Sequence, residues 1–170
     1  IKKFYLFWNN NVVNIPPKTC NDVFNNEFKQ GSVIKTKIRF PSGTEKVKYL
    51  VILNKNPQDD NVLYFLTTSQ LEFYNKYPKY NKDIIRLEAG KIIFFQKETV
   101  IDCRSVGKGS RAIFGSNFQK GTLVFAGELP GQIMSDIEKI VEQSFFIAKK
   151  EKEIILSVKQ KPECGVKEQK

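Results

Sequence analysis

Two apolar runs joined by a polar loop constrain this chain more than any other part of it: Val47-Lys48-Tyr49-Leu50-Val51-Ile52-Leu53 and Val62-Leu63-Tyr64-Phe65-Leu66-Thr67. Both are short, nearly continuous in apolar residues and bounded by turn formers, the pattern of buried strands. The Asn-, Asp- and Pro-rich stretch 54–61 between them predicts a turn. Yet Lys48 lies inside the first run, and Thr67, Thr68, Ser69 and Gln70 close the second, where a core needs no polar group. In a basic chain these side chains are the best placed to meet a phosphate.

The charge is what makes that reading chemical. Lys and Arg number 28 against 18 Asp and Glu, a formal charge of +10. Such an excess favours polyanionic partners such as nucleic acid, or else simply keeps a surface solvated. Histidine is absent, which removes the commonest metal ligand and acid–base group and argues against a zinc hydrolase or a Ser-His-Asp enzyme. Cys20, Cys103 and Cys164 are far apart and odd in number, so they outline neither a disulfide framework nor a CxxC metal site, and a reduced, cytoplasmic setting is expected. No apolar stretch approaches the roughly 20 residues that cross a bilayer. With 170 residues, 14 of them Phe, the chain is expected to build one domain around a substantial core.

Residues 1–27 are expected to form an arm around Pro16-Pro17, with a short helix over Asn21–Phe28. In the next segment Ile34, Thr36, Ile38 and Phe40 alternate with Val33, Lys35, Lys37 and Arg39, which predicts a strand with one buried and one basic face. Pro41-Ser42-Gly43-Thr44 supplies a turn into the first apolar run, and the three strands form a meander. Glu72–Lys82 reads as a loop rich in Tyr and Lys. Short strands follow at Ile84–Leu87, Lys91–Phe95, Thr99–Cys103 and Thr122–Ala126, with Arg104–Lys120 as a long Gly-rich loop. Apolar positions Ile133, Ile137, Ile140, Val141 and Phe145 recur at helical spacing and predict a helix over 132–148. Ile154–Val158 is expected as an edge strand and 159–170 as a basic, solvated tail. The class is mainly β with a C-terminal α-helix, and the regular short strands favour a small, bent barrel over residues 28–158.

This order of parts resembles the MazF/PemK-like toxin family. Gln30-Gly31-Ser32-Val33-Ile34 matches the opening strand of that family, Val47-Lys48-Tyr49-Leu50-Val51-Ile52 its second strand, and Thr68-Ser69-Gln70 the end of its third. Thr99-Val100-Ile101-Asp102 matches a later strand, and 127–147 the terminal helix. The resemblance implies an SH3-like β-barrel and a metal-independent endoribonuclease of a toxin–antitoxin pair, acting on single-stranded RNA without cofactor. Its implied partners are a second copy in a homodimer and a cognate antitoxin. Carried over residue by residue, the catalytic hydroxyl falls on Thr68, the gating loop on Ser42 and Thr44, and the catalytic arginine on Lys48.

Lysine at that position departs from the family. Metal-free cleavage uses the RNA 2′-OH as nucleophile, so the protein must supply donors to the phosphorane charge. A guanidinium holds two phosphate oxygens at once, whereas Lys48 is a point charge on a flexible stem, a difference of about a hundredfold in rate. Arg39, Arg86, Arg104 and Arg111 are the arginines that stand to replace it. Lys35, Lys37, Arg39, Ser69, Gln70 and Arg86 complete the candidate substrate-binding set. For the basic strand face the alternatives are a phosphate stripe and a solvated surface. Tyr74, Tyr77 and Tyr80, interleaved with Lys76, Lys79 and Lys82, suit either base stacking or simple anchoring of a loop. Asp102 and Glu98 are either acid–base groups or turn charges, and Cys103, with no base beside it, is expected in the core. If the missing guanidinium is not replaced, the alternative is a catalytically silent barrel that binds nucleic acid or a protein.

Overall fold

The computed structural model describes residues 4–8, 11–15 and 17–156. A hairpin of β1 (Phe4–Trp8) and β2 (Asn11–Ile15) precedes helix α1 (Pro17–Glu27). The arm therefore carries regular structure. Proline is well suited to a first helical turn, where its missing N–H has no partner to lose, so α1 starts at Pro17, ahead of the expected Asn21.

The main sheet is antiparallel and seven-stranded: β3 (Ser32–Arg39), β4 (Glu45–Ile52), β5 (Asn61–Thr68), β6 (Ile84–Leu87), β7 (Thr99–Asp102), β8 (Gly107–Ser110) and β9 (Leu123–Glu128). Its order is β6-β7-β5-β4-β3-β9, with β8 paired to β5. The path ends at β6 and β9 and does not close into a barrel. The expected meander is present as β3, β4 and β5. Asn54 makes the β4–β5 turn: buried, it donates from Nδ2 to Asp59 (2.9 Å) and to the Asn61 carbonyl (2.8 Å) and accepts from the Leu63 N–H (2.6 Å).

Helices cover this sheet on both faces, which explains the unbroken apolar runs. Along β3 and β4 successive side chains enter different cores. Val33, Val51 and Phe65 pack with Ile137 and Val141 of α4 (Gly131–Gln143) and Ile155 of α5 (Lys149–Leu156). Ile34, Leu50 and Ile52 pack with Phe24 of α1, with Phe28, and with Phe114 and Phe118 of α3 (Arg111–Gln119). Gln30 Nε2 ties the layers together, donating to the carbonyls of Leu53 and Ile155, each at 2.9 Å.

Several expectations are corrected. Lys91–Phe95 is a series of turns in which Phe95 N–H reaches the Ile92 carbonyl at 2.8 Å, because Ile92 and Phe95 are pulled into the core while Ile93 is exposed. Residues 154–156 lie in α5, whose Ile155 closes the core, rather than in an edge strand; 157 and 158 lie outside the described residues. The segment 104–120 contains β8 and α3. Glu72–Lys82 is helix α2 (Glu72–Lys76) followed by a 3₁₀ helix, Pro78–Asp83. The long helix stops at Gln143, where Ser144 turns extended and accepts from the Phe146 N–H at 3.1 Å. Cys20 and Cys103 are buried thiols, as Cys103 was expected to be; Cys164 and the tail lie outside the described residues. Among the described residues no helix is long and apolar enough to cross a membrane.

Candidate nucleic-acid interface

The β4–β5 ladder runs from Ile52↔Tyr64 to Leu50↔Leu66 and stops. Beyond it β5 pairs with β7 through Thr67↔Ile101 and Thr68↔Val100, while Thr67 Oγ1 donates to the Tyr49 carbonyl at 3.2 Å. A side-chain bond thus stands where a ladder bond would continue, and the two strands part. Two residues past Leu50↔Leu66 in the same register, Lys48 and Thr68 come abreast, and strand alternation puts both on the face of Leu50 and Leu66. Both residues line each of two clefts at this opening. The smaller, about 290 Å³, is walled by Tyr49, Thr67, Ser69, Phe94, Phe95 and Lys97. The larger, about 550 Å³, is walled by Phe40, Gln70, Glu72, Phe73, Tyr74 and Asp102.

Lys48 is half-buried, and that burial, followed by the neighbouring Lys46 charge, lowers its pKa from 10.5. It is a cation poor in both solvent and counter-charge, and a bound phosphate would supply the counter-charge. Thr68 Oγ1 accepts from the Gln70 N–H at 3.1 Å, which fixes the hydroxyl and leaves its proton to donate outward.

On the far wall Asp102 gathers a network. It accepts from Tyr74 Oη (2.9 Å), from Arg104 Nε (2.8 Å) and Nη2 (2.7 Å), and from the Arg104 N–H (3.1 Å). Burial raises the Asp102 pKa, but the Arg104 and Tyr74 hydrogen bonds outweigh it and hold the carboxyl below its ordinary value. Burial and the Asp102 carboxylate push the Tyr74 phenol up to about 12. The Arg104 guanidinium, its pKa raised by the same carboxylate, lies 4.3 Å from the Tyr80 ring centroid and 5.2 Å from that of Phe73.

The structure therefore brings Lys48, Thr68, Ser69 and Gln70 together and leaves the other candidates apart. Ser42 and Thr44 join their hydroxyls at 2.8 Å in the exposed β3–β4 turn, where Gly43 takes φ +81°, and line neither cleft. Lys35, Lys37 and Arg39 project from β3 opposite Tyr49, Val47 and Glu45, on the reverse face from Lys48. Lys35 Nζ sits 5.7 Å over the Tyr49 ring, at the back of the smaller cleft. Arg86 is held by Glu98 (3.3 Å) and Asn75 (3.1 Å). Arg111 bonds the Pro57 carbonyl and Asn25 beside α1. Among the described residues no arginine lines either cleft.

Phe40, Phe73, Phe94 and Phe95 are walls that the sequence did not single out. For Phe73 a signal existed: Phe73, Tyr77 and Tyr80 stand at i, i+4 and i+7, one face of a helix. Among the described residues no three His, Cys, Asp or Glu side chains converge as a metal-ligand set. No known family model matches the chain, and no curated protein matches it.

Proposed function

We propose that the opening between β4 and β5 binds single-stranded RNA and cleaves it without metal, as the resemblance to MazF/PemK-like toxins implies. One observation carries this reading. Lys48 and Thr68, twenty residues apart in sequence, stand abreast on one face of a splayed strand pair and share two clefts. Lys48 neutralises a non-bridging phosphate oxygen, and the Thr68 hydroxyl donates to a second as charge grows on it. The ribose 2′-OH loses its proton to solvent and attacks phosphorus, the P–O5′ bond breaks as the leaving 5′-oxygen takes a proton from solvent, and the products are a 2′,3′-cyclic phosphate and a 5′-OH. On this reading the open sheet is a variant of the SH3-like barrel. The working unit is a cytoplasmic homodimer with RNA crossing between copies, and an antitoxin occupies the same groove.

Incubating the protein with mixed RNA in excess chelator tests it. Cyclic-phosphate ends are expected, lost in Thr68→Ala and Lys48→Met and enhanced about a hundredfold in Lys48→Arg, which restores the fork. Intact RNA with the native protein and with Lys48→Arg overturns cleavage.

A second reading rests on the absence of arginine from both clefts and the clamping of Arg104 on Asp102. Without a guanidinium the cleft holds a phosphate but stabilises a phosphorane poorly, which describes a silent binding module. Salt-sensitive RNA binding with no product by any of these variants identifies it.

A further inference from the structure

Beside the larger cleft, α2 and the 3₁₀ helix carry an aromatic face that the core does not use. Phe73 and Tyr77 are 44% and 38% exposed, unusual for large rings in so short an element. Phe73 and Tyr80 stack at 5.5 Å between centroids and 13° between planes, with Tyr77 5.1 Å from Phe73. The Arg104 guanidinium underlies Tyr80, and Asp102 fixes it there, so the platform is rigid before anything binds. Lys76 and Lys79 sit over the Tyr77 and Tyr80 rings at 5.5 and 5.1 Å.

We infer that this face is a base-stacking subsite: Phe73 and Tyr77 take the unpaired base of the nucleotide next to the phosphate held at Lys48 and Thr68. The inference rests on the proposal that this cleft binds RNA. Phe73 supplies the continuity, since it walls the cleft that Lys48 and Thr68 line. Charge selects the occupant. Lys76 and Lys79 offer cations to the flanking phosphates, whereas Glu72, exposed on the cleft wall, repels a phosphate and so turns the base toward the rings. A duplex keeps its base faces stacked inside and presents none to the platform, which selects a single strand.

The test measures binding of three RNA probes at low salt, each 2′-O-methylated so that no 2′-OH can attack: a short single strand, the same strand with one abasic site, and a duplex of equal length. The native protein is expected to prefer the intact single strand about tenfold over each of the others. Phe73→Ala and Tyr77→Ala each lose about tenfold on the intact strand and little on the abasic one, while Phe73→Trp keeps the affinity and its introduced indole is quenched on binding. Recovery by Phe73→Trp separates lost stacking from lost folding. Equal affinity of native protein, Phe73→Ala and Tyr77→Ala for the intact strand overturns the subsite even if RNA is cleaved. The tenfold losses without cleavage establish the subsite and overturn only the enzyme. Loss of self-association in Phe73→Ala with RNA affinity unchanged makes the face a protein contact and overturns the subsite. No binding of any probe overturns both proposals.

Discussion

Asp102 gathers three groups on one carboxylate at the wall of the larger cleft: the Arg104 backbone N–H just past β7, the Tyr74 phenol and the Arg104 guanidinium. Its folded pKa lies below the ordinary 3.8, so its stabilising effect is present above that value and disappears as pH falls through the folded pKa. Asp102→Asn is expected to lower unfolding free energy at pH 7 by about 2 kcal/mol, the loss of charge-assisted bonds. Urea titrations should show the gap between native and variant closing below pH 3.8. In the same variant the Tyr74 phenol, followed by NMR, should ionise below its native value of about 12 but still above 10, because burial, its larger cause, persists. A gap that stays constant down to pH 2 would show that the carboxylate's charge is immaterial. At this scale the sequence was legible where polarity interrupts an apolar run, as at Lys48 and Thr68. For Asp102 it offered only an acid–base group or a turn charge, because the phenolic partner lies 28 residues away and the charge looks like any strand-end acid.

At the scale of elements, β8 and α3 show what local pattern misses. Gly107-Lys108-Gly109-Ser110 has no apolar alternation, because the apolar surface there belongs to other strands. A Cβ on Gly107 would collide with the Tyr64 ring, and one on Gly109 with the Phe114 ring. The glycines exist so that two rings can lie against the backbone of β8, a requirement set by tertiary packing. Helix α3 carries Gly115 and Asn117, poor helix formers, and is held by Phe114 and Phe118 at i, i+4 in the core. Gly109→Ala is therefore expected to cost about 2 kcal/mol, the overpacking penalty of one methyl in a filled site. Lys108→Ala on the same strand, which removes a largely exposed lysine paired with Glu151 at 2.7 Å, should stay within about 0.5 kcal/mol of native. Chemical denaturation of the two variants decides it, and equal losses would mean that β8 is held by something other than these rings.

Among the described residues the main sheet is shared by two large cores, with a small third cluster of Tyr74, Ile84 and Val100 beside them, and the two large cores are what the apolar runs encoded. Leu50, Val51, Ile52 and Leu53 are all buried, an arrangement that a sheet with one wet face would not need. The runs predicted buried strands correctly. They did not distinguish a closed barrel from an open sheet clad in helices, because both bury the same residues, and only α1 and α3 on one face and α4 and α5 on the other decide it. Since β3, β4 and β5 serve both cores, neither layer can melt without stripping a face of the other. Unfolding of residues 17–156 should therefore be one cooperative transition, with backbone circular dichroism and near-ultraviolet aromatic signals coincident in urea. Leu50→Ala weakens the layer of α1 and α3, and Val51→Ala that of α4 and α5. Each should shift the same single midpoint downward, losing about 3 kcal/mol of unfolding free energy for leucine and about 2 kcal/mol for valine, with the slope unchanged. If Leu50→Ala shifted only an early phase and Val51→Ala only a later one, the two layers would be separate folding units. The splayed end of β4 and β5 would then be a seam between units rather than an opening within one.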